Sequence, residues 1–145
     1  MSTSSLPRIL IVDDSRIVRA TIIKRIRDRF DVREEVDGEA GWEALLIDPT
    51  LQLIITDHTM PRLDGHGLIE RIRGSRVSRI RNIPVIMISG DEDEASRQRA
   101  KDVGATDFIA KGTGTAELLA RLDTLINLGR THGELELARA AAMTD

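Results

Sequence analysis

Cysteine is missing from the 145-residue chain altogether, which excludes disulfide frameworks, thiolate zinc sites and cysteine nucleophiles. Histidine is scarce as well: His58, His66 and His132 are too few and too scattered for a dedicated zinc site. Any metal must therefore sit on oxygen ligands. No apolar run approaches the roughly 18 residues that a membrane span needs, and the opening MSTSSLP carries neither the basic nor the apolar part of a secretory signal. A cytoplasmic protein without membrane contact is expected. An excess of positive charge is also absent, since 21 Lys and Arg stand against 24 Asp and Glu for a net charge of −3. That balance argues against nucleic-acid binding driven by bulk charge. What the chain does have, 41% hydrophobic and 31% charged residues, suffices for one domain with one core.

Strand and helix signals alternate. Ile9 to Val12 is a short apolar run, followed by Asp13-Asp14-Ser15, a capping sequence for a helix with apolar positions Val18, Ile22 and Ile26. Val32 to Val36 reads as a half-polar strand ending at the turn Asp37-Gly38, and Glu39 to Ile47 as a helix stopped by Pro49. The pattern continues with strand Leu51 to Thr56, helix Gly67 to Arg73, strand Val85 to Ile88 and helix Glu92 to Val103, closed by Gly104. It ends with strand Asp107 to Ala110 and a helix from about Thr115 to Leu128. Five strands alternating with five helices imply crossover connections, hence an α/β fold with a parallel sheet covered on both faces. The apolar runs Leu53 to Ile55 and Val85 to Ile88 fit central strands, and the acidic one around Glu34 and Glu35 fits an edge.

In such a sheet, ligands bind beyond the carboxyl ends of the strands. There the sequence places Asp13 and Asp14 after the first strand, Asp57 after the third, Ser89 after the fourth and Lys111 after the fifth. Carboxylates brought together repel one another, and a hard divalent cation with oxygen ligands, most simply Mg²⁺, relieves the repulsion. A metal and a lysine around a carboxylate also make a place where a phosphoryl group can be received, and an aspartate can act as its nucleophile.

The acidic pair Asp13-Asp14, the stretch DHTMPRLDG from Asp57 to Gly65, SGD from Ser89 to Asp91, and Lys111 together resemble the receiver domains of two-component response regulators over about residues 6–128. The resemblance implies the flavodoxin-like doubly wound (βα)5 fold with strand order 2-1-3-4-5. It implies that Asp57 accepts phosphate from a histidine kinase or a phosphotransfer protein. Asp14, Asp57 and the backbone carbonyl of Thr59 would ligate Mg²⁺, and Asp13 would act through water. Ser89 would hydrogen-bond the phosphoryl group, Lys111 would pair with it, and Phe108 would be the aromatic that turns inward when Ser89 moves. Thr59 and Asp91 flank the attack path and should tune the lifetime of the phosphate, while Gly90 leaves room for the phosphodonor. The face of the fourth helix, fifth strand and fifth helix is expected to change and offers a route to a homodimer. Two residues depart from the family pattern: Gly112 stands where proline usually follows the lysine, and Phe108 lacks the hydroxyl of the commoner tyrosine.

Blander readings stand beside these. Asp57 could be a turn residue and Lys111 a surface lysine if taken singly. Neighbours in an extended segment point apart, so His58 is expected to face away from Asp57, and His66 and His132 are expected at the surface. Arg16, Arg19, Arg25, Arg27 and Arg29, with Arg71 to Arg81, read as solvated faces or as a docking surface for an acidic partner. Met60 reads as a buried plug. A phosphohydrolase of the haloacid dehalogenase type is the rival, but its aspartyl nucleophile lies in a DxDx(T/V) pattern where this chain has DDSR. A flavodoxin-type cofactor binder would need an anion cradle at that same acidic place. Residues 129–145 read as a helical linker or tail interrupted by Gly129 and Gly133, and the closing ARAAAMTD resembles the entry into diguanylate cyclase (GGDEF) domains. The alternatives are a receiver within a longer regulator and a stand-alone regulator.

Overall fold

The computed structural model describes residues 6–90 and 94–143, with residues 130–143 described by their backbone. Five parallel strands, β1 (Arg8–Val12), β2 (Asp31–Glu35), β3 (Leu51–Asp57), β4 (Val85–Ser89) and β5 (Asp107–Ala110), line up in the order β2-β1-β3-β4-β5. Six helices connect and flank them: α1 (Arg16–Ile26), α2 (Gly38–Ile47), α3 (Gly65–Arg73), the short α4 (Ser78–Arg81), α5 (Glu94–Val103) and α6 (Thr115–Met143). The strand order expected from the resemblance is therefore observed, and the acidic strand β2 lies at an edge. The face assigned to the fourth and fifth helices corresponds here to α5 and α6.

Why the central strands are mainly apolar follows from the two cores they separate. Leu10, Val12, Ile54, Val85 and Met87 pack on one face with Leu45, Leu68 and Ile72 of α2 and α3. Their neighbours Ile9, Ile11, Leu53, Ile55, Ile86 and Ile88 pack on the other with Ile22, Ile26, Leu122 and Ile126 of α1 and α6. Successive side chains point to opposite faces, so a strand covered on both sides has no polar positions to spare.

Local capping sets where the helices start. Ser15 accepts from Val18 N at 3.2 Å, Asp37 from Ala40 N at 2.8 Å and Asp64 from Gly67 N at 2.8 Å. Asp64 thus starts α3 two residues earlier than the apolar pattern suggests. Gly104 closes α5 with φ 108°, a conformation that glycine adopts without steric cost.

Three expectations are corrected. His66 is not at the surface: it is 8% exposed, and its Nε2 has no hydrogen-bond partner. Burial holds its pKa below the ordinary value, followed in effect by the charge of Arg99. The last helix does not stop at Leu128 but runs unbroken to Met143. Gly129 passes close to Pro84, where an added Cβ would lie 3.4 Å from the ring. The arginines, finally, are not simply a solvated face. Arg73 donates to Gly104 O at 2.9 Å, Arg81 O at 2.8 Å, Ile83 O at 2.7 Å and Thr106 Oγ1 at 3.2 Å. One side chain thereby ties α3 to the approaches of β4 and β5.

Removing that clamp leaves partly buried carbonyls without donors, so Arg73→Ala is expected to cost about 2 kcal/mol of unfolding free energy. Urea denaturation should show the midpoint falling with an unchanged slope; an unchanged midpoint would assign the carbonyls to water.

Candidate phosphoacceptor site

Parallel register carries the chemistry to one edge. Val12 pairs with Thr56, Asp57 with Ile88, and Ser89 with Ala110, so each functional residue stands at its strand's carboxyl end or within two residues beyond it. Asp57 continues the alternation of Leu53 and Ile55, on the face that α1 and α6 cover, whereas Ser89 follows Val85 and Met87 on the other. Asp13, Asp14 and Asp57 each bring a carboxylate oxygen within 4.8 Å of the others. Lys111 Nζ lies 3.7 Å from Asp57 Oδ2.

Backbone donors hold the acids in place. Ser15 N donates to Asp13 Oδ1 at 2.8 Å, and His58 N donates to Asp57 Oδ1 at 2.8 Å. Asp13 is 2% exposed and Asp57 8%, while Asp14 is open to solvent. Burial pushes the Asp13 carboxyl above its ordinary range; the Ser15 amide opposes this, Asp57 adds to it, Lys111 opposes it and Asp14 adds the least. The loop after Asp57 folds back tightly, with Gly65 N donating to His58 O at 3.0 Å. A Cβ at Gly65 would fall 2.2 Å from Asp57 O, so only glycine fits. Met60 is buried beneath this loop's level of the core, as expected of a plug.

The structure thus brings Asp13, Asp14, Asp57 and Lys111 together, with Ser89 buried at the end of the adjacent strand. Three hard oxygen donors, one of them disfavoured as a buried anion, fit a divalent cation such as Mg²⁺. Thr59 is exposed, and its Oγ1 lies 2.5 Å from His58 Nδ1. Gly90 is exposed, and a Cβ there would approach only the Lys111 stem, at 3.9 Å. Asp91 lies outside the described residues. Phe108 is 8% exposed, and the Arg97 guanidinium sits 5.2 Å over its ring, so its rotamer is not governed by packing alone.

Arg19 escaped the sequence reading. It donates to Asp13 O at 2.7 Å and to Glu34 Oε1 at 3.0 Å, bracing the acidic turn from α1. The paired acid on the neighbouring strand was the available signal, visible once β1 and β2 are known to pair.

A family profile for the response regulator receiver domain matches residues 9–123. The chain belongs to that family. The receiver is 35% identical over 106 residues to a two-component response regulator of Oryza sativa subsp. indica, covering 72% of this chain and 71% of the relative. Among solved structures it resembles the chemotaxis protein CheY4 of Vibrio cholerae, with TM-score 0.73 and 25% identity over 83% of this chain and 99% of that one. It also resembles a two-component response regulator/GGDEF domain protein, with TM-score 0.77 and 26% identity over 87% of this chain but 51% of the other. Receivers are regulatory domains rather than an enzyme family. They act with a histidine kinase or phosphotransfer partner and generally bind Mg²⁺ at an acidic cluster of the kind formed here. Among the described residues no helix is long and apolar enough to cross a membrane.

The Asp13 shift has a sign that can be checked. An acid whose folded pKa lies above its unfolded value of 3.8 costs stability once ionised, fully so above the folded pKa, and the cost vanishes as pH falls below the unfolded value. In EDTA at neutral pH, Asp13→Asn should therefore melt higher than wild type, with the gain disappearing towards about pH 4. Mg²⁺ should raise the melting temperature of wild type more than that of the variant. A variant that melts lower in EDTA would mean that the Ser15 bond outweighs repulsion and burial.

Proposed function

We propose that this receiver takes a phosphoryl group onto Asp57 from a histidine kinase or a histidine phosphotransfer protein. The observation that carries the reading is the placement of the Lys111 amine 3.7 Å from Asp57 Oδ2, beside carboxylates of Asp13 and Asp14 held on a different strand. An Asp57 carboxylate oxygen attacks phosphorus, the bond to the donor's imidazole nitrogen breaks, and the electron pair leaves with that nitrogen. Lys111 neutralises phosphoryl oxygens as the group arrives. Asp14, Asp57 and the Thr59 carbonyl would hold Mg²⁺, with Asp13 acting through water. Bound there, the ion would offset negative charge on the transferring group.

The Ser89 hydroxyl would then donate a hydrogen bond to the phosphoryl oxygens, which add about −1.5 to −2 charges at the sheet mouth. Ser89 and Phe108 share a sheet face two register positions apart, which supports coupling between phosphate and the aromatic. The Arg97 contact gives the buried Phe108 a partner on α5, and the surface of α5, β5 and α6 is our candidate for the output face and for a homodimer. Thr59 and Asp91 would set the phosphate's lifetime. We assign residues 6–128 to the receiver and 129–145 to a helical linker, in a cytoplasmic regulator. The unbroken α6 and the likeness to the response regulator/GGDEF protein favour an output domain of the cyclase kind.

Incubation with acetyl phosphate and Mg²⁺, followed by mass mapping, should place one phosphoryl group on Asp57. Asp57→Asn should lose it completely. Label on Asp13, or turnover of many substrate equivalents, would replace the receiver mechanism with that of a phosphohydrolase.

A further inference from the structure

Lys111 supplies the site's cation, yet the loop that follows it has little to hold it. Among the described residues, a Cβ added at Gly112 or Gly114 would meet nothing within 4 Å. Two backbone bonds secure the entry to the loop: Lys111 N donates to Ser89 O at 2.9 Å, and Thr113 N to Ala110 O at 3.0 Å. Beyond them, among the described residues, one side chain distant in sequence reaches in. Arg25 of α1 donates from Nη1 to Thr113 O at 3.0 Å, across 88 residues of sequence.

The way Arg25 is placed argues that this contact matters. Among the described residues it makes no ion pair, so its charge is directed at a neutral carbonyl. With Ile17, Ile22, Ile109 and Leu118 it lines a largely apolar cavity of about 110 Å³ that also reaches Lys111 and Thr113. A guanidinium beside apolar walls donates a charge-assisted bond stronger than one made in open water. Two glycines flank the residue it grips, and glycine leaves the backbone the widest choice of conformations. Without the grip, residues 112–114 would sample many arrangements, and the Lys111 amine would move with them.

We infer that Arg25 is a positioning residue for phosphoryl transfer. By holding Thr113 O, it restrains the glycine-flanked loop and keeps Lys111 Nζ at the phosphoacceptor. The inference rests on Asp57 being that acceptor.

The test is a double-mutant cycle on the phosphorylation rate with acetyl phosphate and Mg²⁺, together with amide hydrogen exchange at residues 112–114. Arg25→Ala should slow phosphorylation about tenfold while leaving Mg²⁺ affinity unchanged, because the metal ligands lie on other strands. In a Lys111→Ala background the same change should have no further effect. Arg25→Lys should keep part of the rate, and Gly112→Ala, whose methyl group meets no neighbour, should restore part of it to Arg25→Ala. Exchange of the loop amides should rise about tenfold in Arg25→Ala. Equal slowing in both backgrounds, a parallel loss of Mg²⁺ affinity, or unchanged exchange would each overturn the positioning role. A wild type that takes no label on Asp57 would instead defeat the phosphoacceptor reading, and the exchange result identifies which of the two has failed.

Discussion

Repulsion among Asp13, Asp14 and Asp57 is the constraint around which the molecule is organised. Like charges with oxygens within 4.8 Å of one another stay together only if the backbone that carries them is held by something stronger. Here the holding comes from strands buried on both faces: Ile9 to Val12 and Leu53 to Ile55 cannot shift without exposing apolar side chains to water. Lys111, the Ser15 amide and the His58 amide offset part of the charge. The repulsion that remains suits a divalent cation, which receivers generally bind at such a cluster.

A second theme is the use of arginine against backbone. Arg19 grips Asp13 O, Arg25 grips Thr113 O, Arg73 grips three carbonyls and Arg79 grips Leu45 O. Each joins a helix to another backbone segment, from six residues away for Arg19 to 88 for Arg25, and the planar guanidinium can serve several acceptors at once. Aromatics make up only 2% of the chain, so large rings play a small part in fixing the loops. The sheet supplies a rigid platform, and these clamps set the segments that the hydrophobic cores leave free.

The two faces of the sheet also divide the labour. Asp57 continues the side that α1 and α6 cover, whereas Ser89 and Phe108 belong to the side of α2, α3 and α5. In the proposed mechanism a charge added at Asp57 would reach across the sheet through Ser89 at the strand end. Phe108, buried and covered by Arg97, is the next packed group on that far side.

Most of the elements and the acidic positions could be read from the residues, because strand alternation, helix spacing and caps such as Ser15 and Asp37 act over a few neighbours. Positions such as Asp57 and Lys111 were recognisable because polar residues break apolar runs at strand ends. His66 could not be placed this way, since a histidine in the first turn of a helix has no local mark of burial. Nor could Arg19 and Arg25 be told from solvated arginines, because their partners Asp13 O and Thr113 O are carbonyls that every residue possesses. The passage of α6 through Gly129 ran against local preference, as helix propensity is a weak term that long-range packing overrides. What stayed hidden shares one property: it depends on which groups pack together in three dimensions, and that is set when the sheet assembles rather than by any short stretch of residues.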